Sequence, residues 1–134
     1  MNQLIEEAYR IFKNDRFATE CTGIKIQDIT DSQVTCILEL EEKHLNAMGT
    51  VMGGAIYTLA DFTFAIASNF HKQPTVTLSS QINYIGTPKG KQLIAQSKLL
   101  HEGRTTCFYC ITITDELNHL VATVNMNGYI KQLH

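Results

Sequence analysis

One carboxylate is conspicuous in this sequence because its neighbours are almost all apolar or small. Asp61 is the only charged residue in the twenty-residue stretch 51–70. A stretch apolar on nearly all sides predicts a buried helix, and a buried carboxylate is costly unless it is paired, protonated or functional. In a reaction site it would act as a general base or as a nucleophile. A structural hydrogen bond is the alternative role for Asp61.

The start of the same stretch could stabilise negative charge. Gly53 and Gly54 open it, although glycine is about 1 kcal/mol less favourable than alanine in a helix. Adjacent glycines let a ligand approach the backbone, and the N–H groups of a first helical turn can hold a developing oxyanion. Asn46 adds a side-chain donor nearby. Tight packing is the alternative explanation for the glycines.

Helix geometry constrains how these groups can cooperate. Gly53 and Asp61 are eight residues apart, which is roughly 12 Å along a helix at about 1.5 Å per residue. Both cannot touch one reacting carbon from the same helix. If both act on it, they come from different subunits, and the site lies in a dimer interface.

The other potentially reactive residues give weaker indications of function. Cys107 and Cys110 form a C-x-x-C within an alternating strand, where side chains three apart point to opposite faces, so we interpret them as structural thiols. The five histidines lack metal-ligand spacing, and no metal site is expected. The segment GTPKGK (residues 86–91) reads as a lysine-rich hairpin turn. Alternatively, Lys89, Lys91 and Arg104 could bind a phosphorylated ligand tail.

The elements that must position these groups follow from hydrophobic periodicity. Spacings of three and four over residues 4–12 predict a short amphipathic helix. Alternation predicts a first hairpin over residues 21–40, and then, after the long helix, four strands in series at 76–84, 92–100, 104–114 and 120–130. Because every connection among these four is short, we expect consecutive strands to be antiparallel neighbours.

These elements predict an α+β fold in which an antiparallel sheet of five to six strands wraps a long central helix. One face and the edges of such a sheet stay uncovered in a monomer, which favours a homodimer or a higher homo-oligomer. The 134 residues suit a single domain spanning 1–134.

Composition excludes several classes of protein. Hydrophobic residues make up 44% and charged residues 18%, so the chain is not intrinsically disordered. Its net charge of −2 argues against binding nucleic acid. Asp61 in mid-stretch argues against a membrane span. The N-terminus resembles no signal peptide, so we expect a cytoplasmic protein with reduced thiols.

Residues 44–69, HLNAMGTVMGGAIYTLADFTFAIASN, resemble the signature of hot-dog-fold acyl-CoA thioesterases, most closely the phenylacetate-pathway or PaaI-type branch. The similarity extends over most of the chain. It implies hydrolysis of CoA thioesters without a metal or organic cofactor, by dimers that commonly pair into tetramers. Aryl-acetyl groups such as phenylacetyl, or medium-chain acyl groups, are the implied substrates.

The resemblance also implies roles for single residues. Asp61 matches the catalytic carboxylate, Gly53 the residue whose N–H polarises the thioester carbonyl, and Asn46 the loop asparagine near the reacting group. Ser79 matches a serine that helps to position water. Met52 departs from the family, which usually has histidine before the two glycines, and a thioether neither donates a hydrogen bond nor takes up a proton.

Two other functions stay open at this point. A hot-dog dehydratase or hydratase would act on the same acyl thioesters, but such enzymes favour a catalytic histidine, and this chain has none beside the start of the central helix. A noncatalytic acyl-CoA-binding module is the second alternative, and Met52 is its main support.

Overall fold

The structure is a computed structural model that describes residues 2–133, so the two ends of the expected domain, residues 1 and 134, lie outside it. The helices are α1 (Gln3–Phe12) and α2 (Gly53–Asn69), with a π-helical turn at Phe17–Thr22 and a 3-10 turn at Glu42–His44. The strands are β1 (Lys25–Ile29), β2 (Val34–Glu39), β3 (Thr75–Tyr84), β4 (Gln92–Glu102), β5 (Thr106–Asp115) and β6 (Leu120–Ile130).

The short helix α1 forms where its periodicity predicts. The Asn2 side chain accepts a hydrogen bond from the Ile5 N–H at 2.8 Å and so caps the first turn. Ile5, Ala8 and Phe12 are buried, and the Phe12 ring meets Phe62 of α2 edge-on, with centroids 6.4 Å apart. Helix α1 therefore covers part of α2.

Helix α2 fills the concave face of the sheet. Its buried side chains are mainly large and apolar, and Phe64 meets Tyr109 of β5 edge-on at 5.4 Å between centroids. Gly128 of β6 makes room for this contact, since a Cβ there would lie 3.1 Å from Phe64 Cζ and 2.9 Å from Cys107 Sγ. The expected α+β architecture, an antiparallel sheet of six strands around one long helix, is confirmed.

The strand order differs from the expected one. The sheet runs β1-β2-β4-β5-β6-β3, so β3 pairs with β6 and β4 pairs with β2 and β5. The prediction that β3 and β4 are neighbours joined by a hairpin turn is wrong. Three strand spacings separate them, about 14 Å, and the seven residues 85–91 can span up to roughly 23 Å. Connection length therefore did not determine adjacency.

The C-x-x-C pair behaves as predicted. Cys107 is buried against the helix, whereas Cys110 lies on the other face of β5 and is partly exposed. Both are free thiols. No helix among the described residues is long and apolar enough to cross a membrane.

Candidate active site

Asp61 lies on the one face of α2 that the rest of the chain leaves open. Gly54 and Asp61 are exposed, and Thr58 and Ala65 are partly exposed. The spacings of four, three and four place these residues on one side of the helix. The expected burial of Asp61 is therefore wrong for the single chain. The sequence does not reveal this exposure, because small and polar residues also recur at helical spacing on the buried side of α2, at Ala60, Thr63 and Ala67.

A pocket of about 350 Å³ opens beside Asp61. One wall is α2, and the other is residues 15–18, which lead from the end of α1 into the π-helical turn. Partial desolvation and, second, the negative charge of Asp15 raise the pKa of the Asp61 carboxyl above its ordinary value. Sequence reasoning missed this segment, because nothing in residues 15–18 marks them as neighbours of a residue 43 or more positions later.

Contacts at the start of α2 explain why residue 53 is glycine. The Tyr84 hydroxyl donates to the Gly53 carbonyl at 3.1 Å, and a Cβ on residue 53 would lie 3.1 Å from the Tyr84 ring. A side chain at Gly53 would therefore have to displace Tyr84. At Gly54, by contrast, the nearest neighbour of an added Cβ would be Met52 Cγ at 4.0 Å. Packing within the chain accounts for glycine at 53 but not at 54.

The N–H groups at this helix start remain available to a ligand. Among the described residues, no acceptor bonds the N–H of Gly53 or Gly54. Met52 stands at the preceding, extended position with its side chain 53% exposed. The backbone here presents donors to solvent beside a flexible apolar side chain, which is the arrangement that can hold an oxyanion.

The loop before α2 is closed by its own polar groups. Asn46 Oδ1 accepts from the N–H groups of Met48 and Thr50, at 2.9 and 3.1 Å, and Asn46 Nδ2 donates to Thr50 Oγ1 at 3.0 Å. An amide nitrogen has a second hydrogen to offer. Asn46 thus shapes the loop and keeps one donor for a ligand.

A buried histidine anchors this loop. His44 Nδ1 accepts from the Glu41 N–H at 2.9 Å, which assigns the proton to Nε2, and Nε2 lies 2.7 Å from the Thr22 carbonyl oxygen. The His44 carbonyl accepts from the Met52 N–H at 2.8 Å. Both ring nitrogens of His44 are engaged, so its role is to position the loop and the start of α2.

Two adjacent serines on β3 face different surroundings. Ser79 Oγ accepts from Asn127 Nδ2 of β6 at 2.9 Å, next to an irregularity in the β3–β6 register. Ser80 Oγ lies 2.6 Å from the Tyr57 hydroxyl of α2. Within one chain, Ser80 rather than Ser79 contacts the central helix.

The lysine-bearing connection 85–91 is tied down by two carboxylates. The Lys89 and Gly90 N–H groups donate to Asp115 Oδ2 at 2.7 and 3.0 Å, and the Lys91 N–H donates to the Glu116 carboxylate. Gly90 and Lys91 border a pocket of about 440 Å³ whose other wall includes Gly49 and Thr50. The connection therefore presents Lys91 beside the loop that precedes α2.

Arg104 lies away from these lysines. Lys91 immediately precedes β4 and Arg104 follows its end, and the eleven residues of β4 extend about 36 Å. The structure does not bring Arg104 and the two lysines together within one chain. Among residues 2–133, no three His, Cys, Asp or Glu side chains are grouped so as to hold a metal ion.

Comparison with known proteins places this chain among thioesterases. The sequence profile of the thioesterase superfamily matches residues 48–122, which include Gly53, Asp61 and Ser79. Human acyl-coenzyme A thioesterase 13 is 28% identical over 120 residues, covering 87% of this chain and 86% of that protein. The acyl-coenzyme A thioesterase PaaI of Escherichia coli K12 is 26% identical over 118 residues, covering 87% and 84%.

Solved structures agree with these relatives. The E. coli PaaI protein, from the phenylacetic acid degradation operon, superposes with a TM-score of 0.85 over 97% of both chains, at 22% identity. A hypothetical thioesterase from Streptococcus pneumoniae TIGR4, solved with coenzyme A, superposes with a TM-score of 0.82 at 25% identity, covering 92% of this chain and 98% of that one. The expected resemblance to PaaI-type hot-dog thioesterases is confirmed.

Proposed function

The chain belongs to the thioesterase superfamily, and from this premise we propose that it is an acyl-CoA thioesterase whose reaction takes place at the open face of α2. The observation that carries the proposal is the exposed Asp61 carboxylate on the same helix whose first turn offers the Gly53 and Gly54 N–H groups. The substrates we propose are aryl-acetyl or medium-chain acyl-CoA esters, and the products are the free acid and CoA.

In the proposed reaction, ionised Asp61 removes a proton from water, and the water oxygen attacks the thioester carbonyl carbon. The carbonyl oxygen gains negative charge, which the Gly53 N–H stabilises. The C–S bond then breaks, and the CoA thiolate leaves and is protonated. The raised pKa of Asp61 makes its carboxylate a stronger base than an ordinary aspartate. Direct attack by Asp61, followed by hydrolysis of the resulting anhydride, is the alternative route.

Each site would combine two subunits. Gly53 and Asp61 both belong to the continuous helix Gly53–Asn69, so the roughly 12 Å between them holds within one chain. The edge strand β3 supports a homodimer, because its apolar side chains Val76 and Leu78 are 43% and 61% exposed. Pairs of dimers would make the homotetramer.

The remaining residues have supporting parts in the proposal. Asn46 and Ser79 orient the reacting groups or water, and Met52 and Gly54 border the thioester. Lys89 and Lys91 meet the phosphates of CoA. Because Arg104 lies at the far end of β4, it would reach the same CoA only from another subunit.

Within residues 2–133, the catalytic histidine that the hydratase or dehydratase alternative favours is not found at this site. Both ring nitrogens of His44, the histidine nearest the start of α2 in sequence, are bonded to backbone groups, those of Glu41 and Thr22. An experiment distinguishes the noncatalytic acyl-CoA-binding alternative from a thioesterase. Purified protein is mixed with a panel of acyl-CoA esters and a thiol-reactive dye that reports free CoA.

We expect release of CoA by the wild type and near-complete loss of turnover in Asp61→Asn, which retains CoA-ester binding by calorimetry. The variant should melt no lower than the wild type, because ionised Asp61 is partly desolvated. Asp28→Asn, an exposed carboxylate on β1, is the matched control. Binding without turnover by the wild type would indicate a binding module, and turnover of Asp61→Asn within a few-fold of the wild type would refute the role of Asp61.

A further inference from the structure

The segment 15–18 borders the reacting carboxylate, although the mechanism above gives it no part. It forms the outer wall of the pocket beside Asp61, opposite α2. We propose that this pocket is the subsite for the acyl group, and that Phe17 makes the enzyme selective for short, uncharged aliphatic and aryl acyl groups. This inference rests on the proposed function and specifies its substrate.

The lining of the pocket suits an acyl group rather than CoA. Phe17, Ala18, Phe62 and Ala65 contribute apolar surface, and the Thr58 hydroxyl is already donated to the Gly54 carbonyl at 2.7 Å. Arg16 is the only cation in the lining, and its Nε is 3.1 Å from the Glu20 carboxylate. The phosphates of CoA need cations, so the acyl end of the thioester is the end that this pocket can accept.

The wall that carries Phe17 is held in place by its backbone. The N–H groups of Ala18 and Thr19 donate to the Asp15 carbonyl at 3.1 and 3.0 Å. The Ala18 carbonyl in turn accepts from the N–H groups of Gly23 and Ile24, each at 3.0 Å, and Ala18 itself is buried. This leaves the Phe17 ring at the rim with 69% of its surface exposed. An aromatic side chain on a fixed turn can select acyl groups by shape.

Volume and charge narrow the class of acyl group. A space of about 350 Å³ holds roughly a dozen water-sized groups at about 30 Å³ each. With about one heavy atom per such group, phenylacetyl and octanoyl fit within this volume, whereas palmitoyl exceeds it. Asp15 and Asp61 both face the pocket, so an acyl group that ends in its own carboxylate, such as succinyl, is repelled.

The test compares kcat/KM for acetyl-, hexanoyl-, phenylacetyl-, palmitoyl- and succinyl-CoA. Phe17→Ala removes the aromatic ring from the outer wall of the pocket. Ala65→Leu fills part of the pocket from α2, and Asp15→Asn removes one negative charge. Leu117→Ala is the matched control, because Leu117 is a similarly exposed apolar side chain (57%) on the turn between β5 and β6. Melting temperatures establish that each variant is folded.

We expect Phe17→Ala to lower kcat/KM for phenylacetyl-CoA by roughly tenfold, the scale of a lost apolar contact, with acetyl-CoA much less affected. Ala65→Leu should disfavour phenylacetyl- and hexanoyl-CoA relative to acetyl-CoA, and Asp15→Asn should raise succinyl-CoA relative to hexanoyl-CoA. If the wild type is active and all three variants keep its acyl preference, the proposed acyl subsite is refuted, whereas the proposed function is not. A wild type that hydrolyses none of the esters would overturn the proposed function as well.

Discussion

The carboxylate of Asp61 shares its pocket with two other charged side chains, Asp15 and Arg16. The pKa of Asp61 is raised first by desolvation and second by the charge of Asp15. If ionised Asp61 is the base or nucleophile, kcat/KM falls as the pH drops through this pKa. Asp15→Asn removes the repelling charge and lowers the pKa, so the acid limb of the pH–rate profile should move to lower pH.

The measurement is kcat/KM against pH for the wild type, Asp15→Asn and Asp31→Asn. Asp31 lies on the exposed turn between β1 and β2 and serves as the control. An acid limb that stays in place in Asp15→Asn would contradict the coupling of the two carboxylates.

Met52 occupies the position where the resemblance to hot-dog thioesterases implies histidine, and it is largely open to solvent. The side chain is 53% exposed and the backbone is extended. Met52→His should keep kcat at the wild-type level or raise it, because it adds a polar contact without disturbing Gly53. Met48→His, an 86% exposed position in the same loop, controls for a histidine placed elsewhere. A large fall in kcat with the fold retained would show that the thioether has its own function.

At the level of elements, one buried carboxylate joins the connection 85–91 to the turn between β5 and β6. Asp115 is fully buried and accepts from the N–H groups of Lys89, Gly90, Leu117 and His119 and from the His119 ring. Desolvation alone would raise the pKa of Asp115, but these hydrogen bonds outweigh it and hold the pKa well below its usual range. The Asp115 carboxylate therefore holds in place the connection 85–91, which carries Lys89 and Lys91.

A lowered pKa makes Asp115 a source of pH-dependent stability. Its contribution is fully present above the unfolded-state pKa of about 3.9 and declines as the pH falls from there toward the folded-state value. Asp115→Asn should therefore lower the urea midpoint at pH 7, and its deficit should narrow below about pH 4. Urea titrations between pH 3 and 8, with Asp28→Asn as the control, test this. A deficit that is constant with pH would mean that the charge of Asp115 contributes nothing.

At the scale of the whole molecule, the proposed sharing of each site between two subunits predicts complementation between two inactive variants. Asn46 lies at the Gly53 end of α2, in the loop that the Met52 N–H to His44 carbonyl bond closes. In a mixed dimer of Asp61→Ala and Asn46→Ala, one site receives both lesions and the other receives neither. Random pairing makes half of the dimers mixed, so refolding the two variants together should restore about a quarter of wild-type activity.

Sites built within one chain would each keep a lesion, and no activity would return. Differently tagged subunits confirm that the chains have exchanged. Absence of recovery in exchanged dimers would refute the shared site.

Local sequence was sufficient for the two helices, the six strands and the family, but not for the π-helical and 3-10 turns. The uncharged stretch around Asp61 forms α2, the alternating runs form strands, and the residue pattern 44–69 identifies a thioesterase. These properties depend on neighbours within a few positions, where helical and strand periodicity are directly readable.

Strand order and the surroundings of Asp61 came from tertiary structure alone. β3 pairs with β6 rather than β4, and the seven-residue connection between β3 and β4 is long enough to cross the two intervening strands. Asp61 is exposed and has Asp15 as a neighbour in its pocket. Asp115 is buried and accepts five hydrogen bonds. The burial of a residue and the charges around it depend on segments that lie tens of positions away in the chain. No local pattern encodes which segments those are.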